Sequence, residues 1–344
     1  MLLDPRAPTA RSVATRRVAR VTATARRRAL AIFTLLLLGL TVSACGSPAS
    51  TSMDTSGPDH LRIAYVPATT GLPLVVAEKE GFFAANKLDV TLTQVDNIST
   101  VVPTLGRQFD ISLGTATDLI RAGGAGIDIV QVAGNTLSTK ADPFVKLIVP
   151  ADSQIASISQ INGKTVGSPT LSGVIHVAVL SWAKQHGVDP ADIKGIQVPT
   201  PNLADQLKAG RVDAAEALEP VASQLIKAGN RSLGDPFASI SDPLATNFWI
   251  ANGAWGRSHR PVVDRYVKAL NEAKDYIAHN PAAARDILQK YTNLPQAVAS
   301  TVPLPVYDFT IRTQDLDTWV KVLRDVDAFT GQVDTRKLVL STGS

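Results

Sequence analysis

The stretch LRIAYVPATTGLPLVVAEKEGFFAANKLDVTL (61–92) decides the architecture. LRIAYVP (61–67) has the β-branched and aromatic content of a strand and stops at a proline. GLPLVVAEKEGFFAANKL (71–88) reads as a helix, with Gly81 a break before Phe82-Phe83. DVTLTQV (89–95) alternates as a strand should. A strand, a helix and a second strand within so short a span make a crossover unit of a parallel sheet. In such sheets, ligands sit beyond the carboxyl ends of the strands.

The same alternation extends outward. ISTVVPTLGRQ (98–108) predicts a second helix, with Pro103 disturbing its first turn. FDISLG (109–114) is a strand and TATDLIRAGG (115–124) a helix stopped by glycines. DIVQVAGN (128–135) and FVKLIVP (144–150) are strands. The second half repeats the scheme. ISQINGKTVGSP (158–169) gives a helical turn and a strand, and SGVIHVAVLSWAKQHG (172–187) a helix from a serine start to a glycine stop. IKGIQVP (193–199), NLADQLKAG (202–210) and RVDAAEALEP (211–220) read strand, helix, strand. ATNFWIANGAW (245–255) is extended, and VVDRYVKALNEAKDYIAHN (262–280), PAAARDILQKY (281–291) and TQDLDTWVKVLRDVDAF (313–329) are helical. The whole predicts two α/β lobes of similar design.

The first 44 residues are of another kind. Eight arginines and no lysine precede ALAIFTLLLLGL (29–40), twelve mostly apolar residues. A helix needs about 20 residues to span a bilayer core, so this run is a signal-type segment and not a span. Small residues follow, then Cys45, the only cysteine in the chain. Val42-Ser43-Ala44-Cys45 resembles a bacterial lipobox, in which the cysteine takes a diacylglycerol and cleavage falls just before it. Residues 1–44 are therefore expected to be a lipoprotein signal peptide, with lipidation at Cys45. Residues 45–58, small and polar, are expected to form a flexible tether. The signal also explains the formal charge of +4, since it holds eight of the 34 basic residues and one of the 30 acidic ones. The rest of the chain carries −3, which gives no argument for binding nucleic acid.

Six segments in order carry a family resemblance: the opening 61–92, FDISLGTATD, SQINGKTVGSP, HGVDPADIKGIQV, QLKAGRVDAAEALEP and TNFWIANG. Together they resemble solute-binding proteins of the nitrate/sulfonate/taurine and thiamine-pyrimidine type. The resemblance implies a two-lobed periplasmic-binding-protein-like fold of the second type, each lobe a mainly parallel sheet flanked by helices. It implies two crossings between the lobes, placed near 143–149 and 243–249. Lobe 1 is then 59–146 and 247–344, the latter with the C-terminal helices, and lobe 2 is 147–246. It further implies a monomer that hands a small solute to the permease and ATPase of an ABC importer, held at the membrane by its N-terminal lipid.

Strand ends on such a fold face the cleft between lobes. They nominate Thr69, Thr70 and Gly71 after the first strand, and Asp96 and Asn97 after the second. Thr115 and Thr117 open a helix whose free amides attract anions, although Thr115 also fits a plain N-cap. In GSPTLSG (167–173), Ser168, Thr170, Ser172 and Gly173 offer hydroxyls and amides to an oxyanion. His176, one turn on, is expected to be a packed or surface histidine. In EALEP (216–220), Glu216 and Glu219 point to opposite faces if the strand continues; Glu219 is favoured over Glu216 toward ligand, the other being solvated or structural. Asn247, Phe248 and Trp249 stand at the second crossing, for stacking on ligand or for the core. These strand-end loops contain no Arg or Lys, while Asp96, Glu216 and Glu219 suit an amine. That tilts the expected solute from nitrate toward an aminosulfonate or a pyrimidine-like compound.

Two rival classes remain. Thiamine-pyrimidine synthases share the fold, but such chemistry draws on cysteine and clustered histidines. Beyond Cys45 there is no thiol, and the five histidines (60, 176, 186, 259, 279) lack metal-ligand spacing. There is no G-x-S-x-G elbow. GGAGID (123–128) precedes a strand, so it is a helix stop and not a dinucleotide loop. No cofactor and no metal are expected. The other rival is a scaffold or adhesin lipoprotein that uses the fold without transport.

Overall fold

A computed structural model describes residues 57–341. The signal segment and Cys45 lie outside the described residues, as does all of the tether but its last two positions. In chain order, β1 (Asp59–Tyr65), β2 (Leu88–Gln94), β3 (Ile111–Thr115) and β4 (Ile129–Ser138) belong to a first sheet. β5 (Val145–Val149), β6 (Thr165–Ser168), β7 (Lys194–Gln197), β8 (Ala214–Leu218) and β9 (Arg231–Gly234) form a second. β10 (Leu244–Asn252) and β11 (Val306–Tyr307) return to the first. The strand orders are β11-β4-β10-β3-β1-β2 and β7-β6-β8-β5-β9.

The opening stretch forms the expected crossover unit. β1 and β2 pair in parallel from Asp59↔Leu88 to Tyr65↔Gln94. Between them run the helix Leu72–Lys79 and the short helix Phe82–Ala85. Gly81, at φ 76°, makes the break between the two, a conformation that costs a side-chain-bearing residue energy. In direction, both sheets are mainly parallel: four of six strands run one way in the first and four of five in the second. In pairing they are mixed. β10 inserts antiparallel between β3 and β4, and β5 antiparallel between β8 and β9. Each is the strand on which the chain arrives from the other sheet.

The crossings lie upstream of the positions read from the sequence. All of β5 pairs in the second sheet and all of β10 in the first, so Val145, Lys146 and Leu244–Thr246 each change lobe. The apolar runs FVKLIV and LATNFW would suit either lobe. The connecting segments are 139–144 and 235–243, both of which contain an Asp-Pro step. They are tied to each other: Ser138 Oγ donates to Asp235 Oδ2 at 3.2 Å, and Lys140 N to Asp242 Oδ1 at 3.2 Å. Two further expectations change. Residues 98–108 form only the 3-10 turns Ile98–Thr100 and Val102–Thr104, because Pro103 and the Asn97 side chain, which accepts from Ser99 N at 3.0 Å, interrupt a helix. The helix after the second-lobe loop is Val174–Gln185, with Gly173 at its N-cap. Ser172 is exposed and caps nothing.

The first sheet is covered on both faces. On one, Trp249 meets Tyr266 edge-on at 5.7 Å, and Tyr266 stacks on Phe83 at 5.7 Å. Trp249 and Phe248 are therefore core residues, both fully buried. On the other face, Phe248, Ile250, Leu316 and Trp319 join Phe144 and Phe237 from the connecting segments. Val174, Val177 and Ala178 of the second lobe's helix enter this same cluster, so the lobes share an apolar contact. Among the described residues, no helix is long and apolar enough to cross a membrane.

That helix also brings His176 against β8, where its Nδ1 lies 2.7 Å from Glu216 Oε1. Both side chains are buried. Burial alone would lower the histidine's pKa, but the Glu216 charge and hydrogen bond outweigh it and raise it. A raised histidine contributes stability in full below its ordinary value of 6.5 and loses it as pH rises through the folded value. In the double variant His176→Gln/Glu216→Gln, the part of the melting-temperature decline above pH 6.5 that this pair causes should vanish in thermal scans. An unchanged slope would mean the pair does not titrate there.

Gly134 on β4 tests the packing of the C-terminal segment. Its N–H donates to Phe309 O at 3.0 Å, and a Cβ would stand 2.4 Å from Asp308 O and 2.5 Å from Thr310 O. Backbone cannot swing aside as a side chain can. Gly134→Ala should cost about 1–3 kcal/mol in urea unfolding, the usual range for overpacking. A wild-type midpoint would mean 308–310 does not sit on this strand.

Candidate functional site

The carboxyl ends of β1, β2 and β3 in one lobe and of β6, β7 and β8 in the other converge on one cavity of about 350 Å³. That is the size of a small-molecule site. Seven of the residues nominated from the sequence line it: Thr70, Asp96, Asn97, Thr115, Ser168, Thr170 and Gly173. Five do not: Thr69, Gly71, Thr117, Ser172 and Glu219.

Thr69 is fully buried and faces protein. Its N–H and its hydroxyl both donate across the cleft to the Glu219 carbonyl, at 3.3 and 3.4 Å. The turn that holds it is fixed through three successive carbonyls. Ala68 O accepts from Tyr291 Oη at 2.6 Å, Thr69 O from Tyr307 Oη at 2.8 Å and Thr70 O from Asn135 Nδ2 at 3.0 Å. Burial raises the pKa of both tyrosines, which keeps them protonated as donors. Gly71 makes the turn tight: a Cβ there would come within 3.0 Å of Val66 O.

At β3 the capping role of Thr115 is realised. Its Oγ1 accepts from Asp118 N at 3.3 Å and donates to Asp118 Oδ2 at 2.6 Å, while its own N–H donates to the same oxygen at 2.9 Å. Thr117 is buried behind it, with its hydroxyl 2.9 Å from that of Thr115. Ser168 Oγ donates to Thr170 O at 3.2 Å, so the 168–173 loop is partly self-bonded.

The carboxylates are arranged differently from the expectation that they meet an amine. Glu219 is past the end of β8 and fully buried. It accepts from Lys146 Nζ at 3.3 Å and from Ser223 N at 3.0 Å. Glu216 is paired with His176. Asp96 alone of the three lines the cavity, and it is exposed.

Several lining residues escaped the sequence reading. Phe144, Val174, Leu218, Val221 and Phe237 form apolar walls, and Gln224 adds an amide, beside that of Asn247, which the sequence placed at the second crossing. Apolar residues at core-like spacing give no sign that their core borders a cavity. Thr200 also lines the cavity and was reachable, because it lies just past β7 as Thr170 lies just past β6.

Comparison with known proteins places this geometry. The NMT1/THI5-like family matches residues 68–284. The 4-amino-5-hydroxymethyl-2-methylpyrimidine phosphate synthase THI13 of Saccharomyces cerevisiae is 25% identical over 235 residues, 64% of this chain and 67% of the yeast protein. A Brachyspira hyodysenteriae protein carrying an ABC-transporter periplasmic-binding-protein name is 26% identical over 163 residues, 43% of this chain and 46% of its own length. Among solved structures, the alkanesulfonate-binding protein SsuA from Xanthomonas axonopodis pv. citri, bound to MOPS, superposes with a TM-score of 0.72 at 18% identity, covering 83% of this chain and 99% of SsuA. The fold is thus that of periplasmic binding proteins, and the chain belongs to the NMT1/THI5-like family.

Proposed function

We propose that this chain is the solute-binding lipoprotein of an ABC importer. In this reading it is exported, lipidated at Cys45 and anchored to the outer face of the cytoplasmic membrane. There it acts as a monomer, capturing one small solute, sulfonate- or taurine-like or pyrimidine-like, and delivering it to the permease and ATPase. The observation that carries the reading is the convergence of strand ends from both sheets on one cavity, with two chain crossings beside it among the described residues. Two lobes so joined can rotate about 139–144 and 235–243, and a ligand touching both favours the closed state by its differential affinity.

The name of the yeast relative favours a second reading, a pyrimidine-phosphate synthase. Against it, none of the five histidines lines the cavity. They bond instead to Asp89, Glu216 and backbone carbonyls. Stoichiometric, reversible release of unaltered ligand distinguishes a binding protein from an enzyme that consumes a bound compound.

The soluble body, residues 46–344, should be stabilised by its ligand by roughly 2.7 kcal/mol at a hundredfold excess over Kd. It should also contract in small-angle scattering. Alkanesulfonates, taurine, nitrate and thiamine pyrimidines form the screen; silence from every member in both measurements would count against the importer reading.

For the anchor, Cys45→Ala should leave the precursor with its signal attached and without acyl mass. Intact-mass spectra of membrane fractions check this, and identical lipid and processing in both forms would exclude Cys45 as the site.

A further inference from the structure

We propose that the ligand of this cleft is a zwitterion, with an oxyanion group seated on the start of the helix Val174–Gln185 and an ammonium group held by Asp96. The proposal rests on reading the cleft as the ligand site, and it selects the aminosulfonate and amino-acid class from the solutes that reading allows.

The acid end follows from the second lobe. Val174 and Ile175 open a helix of twelve residues and line the cavity. The first N–H groups of a helix have no partner within it. Gly173 at the N-cap has no side chain to offer, and the first turn holds no acid. Among the described residues, nothing accepts from Val174 N or Ile175 N. The helix Ala116–Gly124, whose N-cap also borders the cavity, differs in this respect, because Thr115 and Asp118 cap it from within the chain. Unclaimed amides at the positive end of a helix dipole attract an oxyanion. A second observation, independent of the helix, calls for a polar ligand. Thr70, on the first lobe, lines the same cavity, is 2% exposed and has a hydroxyl with no hydrogen-bond partner. Buried polar groups are ordinarily bonded, so a ligand oxygen or nitrogen completes it.

The amine end follows from the charge of the lining. Asp96, just past β2 on the first lobe, is the one charged side chain among the described lining residues. It joins none of the ion pairs found among the described residues. A bare anion would meet this carboxylate with nothing to offset the repulsion, and a bare cation would meet the helix start. A molecule with both charges satisfies both. The apolar walls at Phe144, Leu218, Val221 and Phe237 suit the carbon chain that links its two groups. Because the two groups are held by different lobes, such a ligand favours the closed state.

The test uses residues 46–344 at pH 7 and calorimetry with matched probes: taurine, homotaurine, β-alanine and γ-aminobutyrate, each beside the acid that lacks the amino group. Tighter binding of an amino compound than of its deaminated partner supports the proposal, and the sulfonate and carboxylate pairs identify the oxyanion. Equal or tighter binding of the deaminated partners overturns it. Binding confined to nitrate or to a thiamine pyrimidine also overturns it, while the solute-binding reading stands. Silence from every probe overturns it as well. A thermal shift with a bacterial cell extract would then leave the solute-binding reading standing, and no shift would remove both. Asp96→Asn should melt as wild type without ligand. Its preference for the amino compound should shrink about two- to fivefold, the range of an exposed ion pair, and an unchanged preference would overturn the role of Asp96. Val174→Pro deletes one amide at a position where proline suits a helix, and the extended Gly173 before it (φ −81°, ψ 164°) tolerates a following proline. Val174→Ala loses the same side-chain packing and keeps the amide. Each probe that binds should bind the proline variant at least about tenfold more weakly than the alanine variant, the effect of one hydrogen bond to a charged group. Equal affinities in the two would overturn the seat of the acid group.

Discussion

Three successive carbonyls at the end of β1, those of Ala68, Thr69 and Thr70, are each held by one side-chain donor. All three residues are buried, and an unpaired buried carbonyl costs free energy comparable to a lost hydrogen bond. The donors come from Tyr291, Tyr307 and Asn135, so the geometry of the first strand end is set by residues far along the chain. The turn is thereby rigid before any ligand arrives. Its next residue starts the helix Leu72–Lys79, its Thr70 borders the cavity, and its Thr69 reaches the other lobe. The opposing partner is equally constrained. The Glu219 carbonyl is the acceptor for Thr69, and the Glu219 side chain is pinned by Lys146 and by Ser223 N.

This arrangement also sets the electrostatics of the cleft. Two carboxylates, one within β8 and one just past it, would charge the site if left unpaired. Each instead meets a base from another element, Glu216 from the helix Val174–Gln185 and Glu219 from β5. Removing one partner of such a buried pair strands a charge and costs about 3–5 kcal/mol. The pairs therefore restrict which substitutions β8 tolerates, and of the three carboxylates they leave only Asp96 to the ligand.

How much of this was legible in the sequence depended on the range of the interaction. The β1–helix–β2 unit was legible because its signals are local: alternation, Pro67 and the Gly81 break. The capping role of Thr115 was legible for the same reason, since its partner Asp118 is three residues away. Thr69 and Thr70 have identical chemistry and adjacent numbers, yet one bonds across to Glu219 and the other borders the cavity. Nothing within five residues of them distinguishes the two. The fate of Glu219 depended on Lys146, 73 positions earlier. The crossings were displaced because β5 and β10 are apolar strands that would pair in either sheet. Phe144 and Phe237 were missed for a related reason: each is buried like a core residue, and only the three-dimensional arrangement shows that their core has a cavity on one side.

The contacts between lobes are unequal, and the proposed motion follows from that inequality. Behind the cleft, Phe144, Phe237 and Trp319 pack in sequence at 6.0 Å spacings, beside the segments where the chain crosses. Each such buried side chain is worth about 1.5–3 kcal/mol, and rotation about the crossings leaves it covered. At the surface Lys227 Nζ donates to Ala297 O and Lys184 Nζ to Asp325 O, and in front the lobes meet through two long hydrogen bonds from Thr69 to a single carbonyl. Each contributes a net of about 0.5–1.5 kcal/mol, and water can replace both when the cleft opens. Opening therefore breaks the weak front contact and keeps the strong rear one. A ligand that touches Thr70 on one lobe and Leu218 on the other adds its contacts on the weak side, where a few kcal/mol are enough to reverse the balance between open and closed.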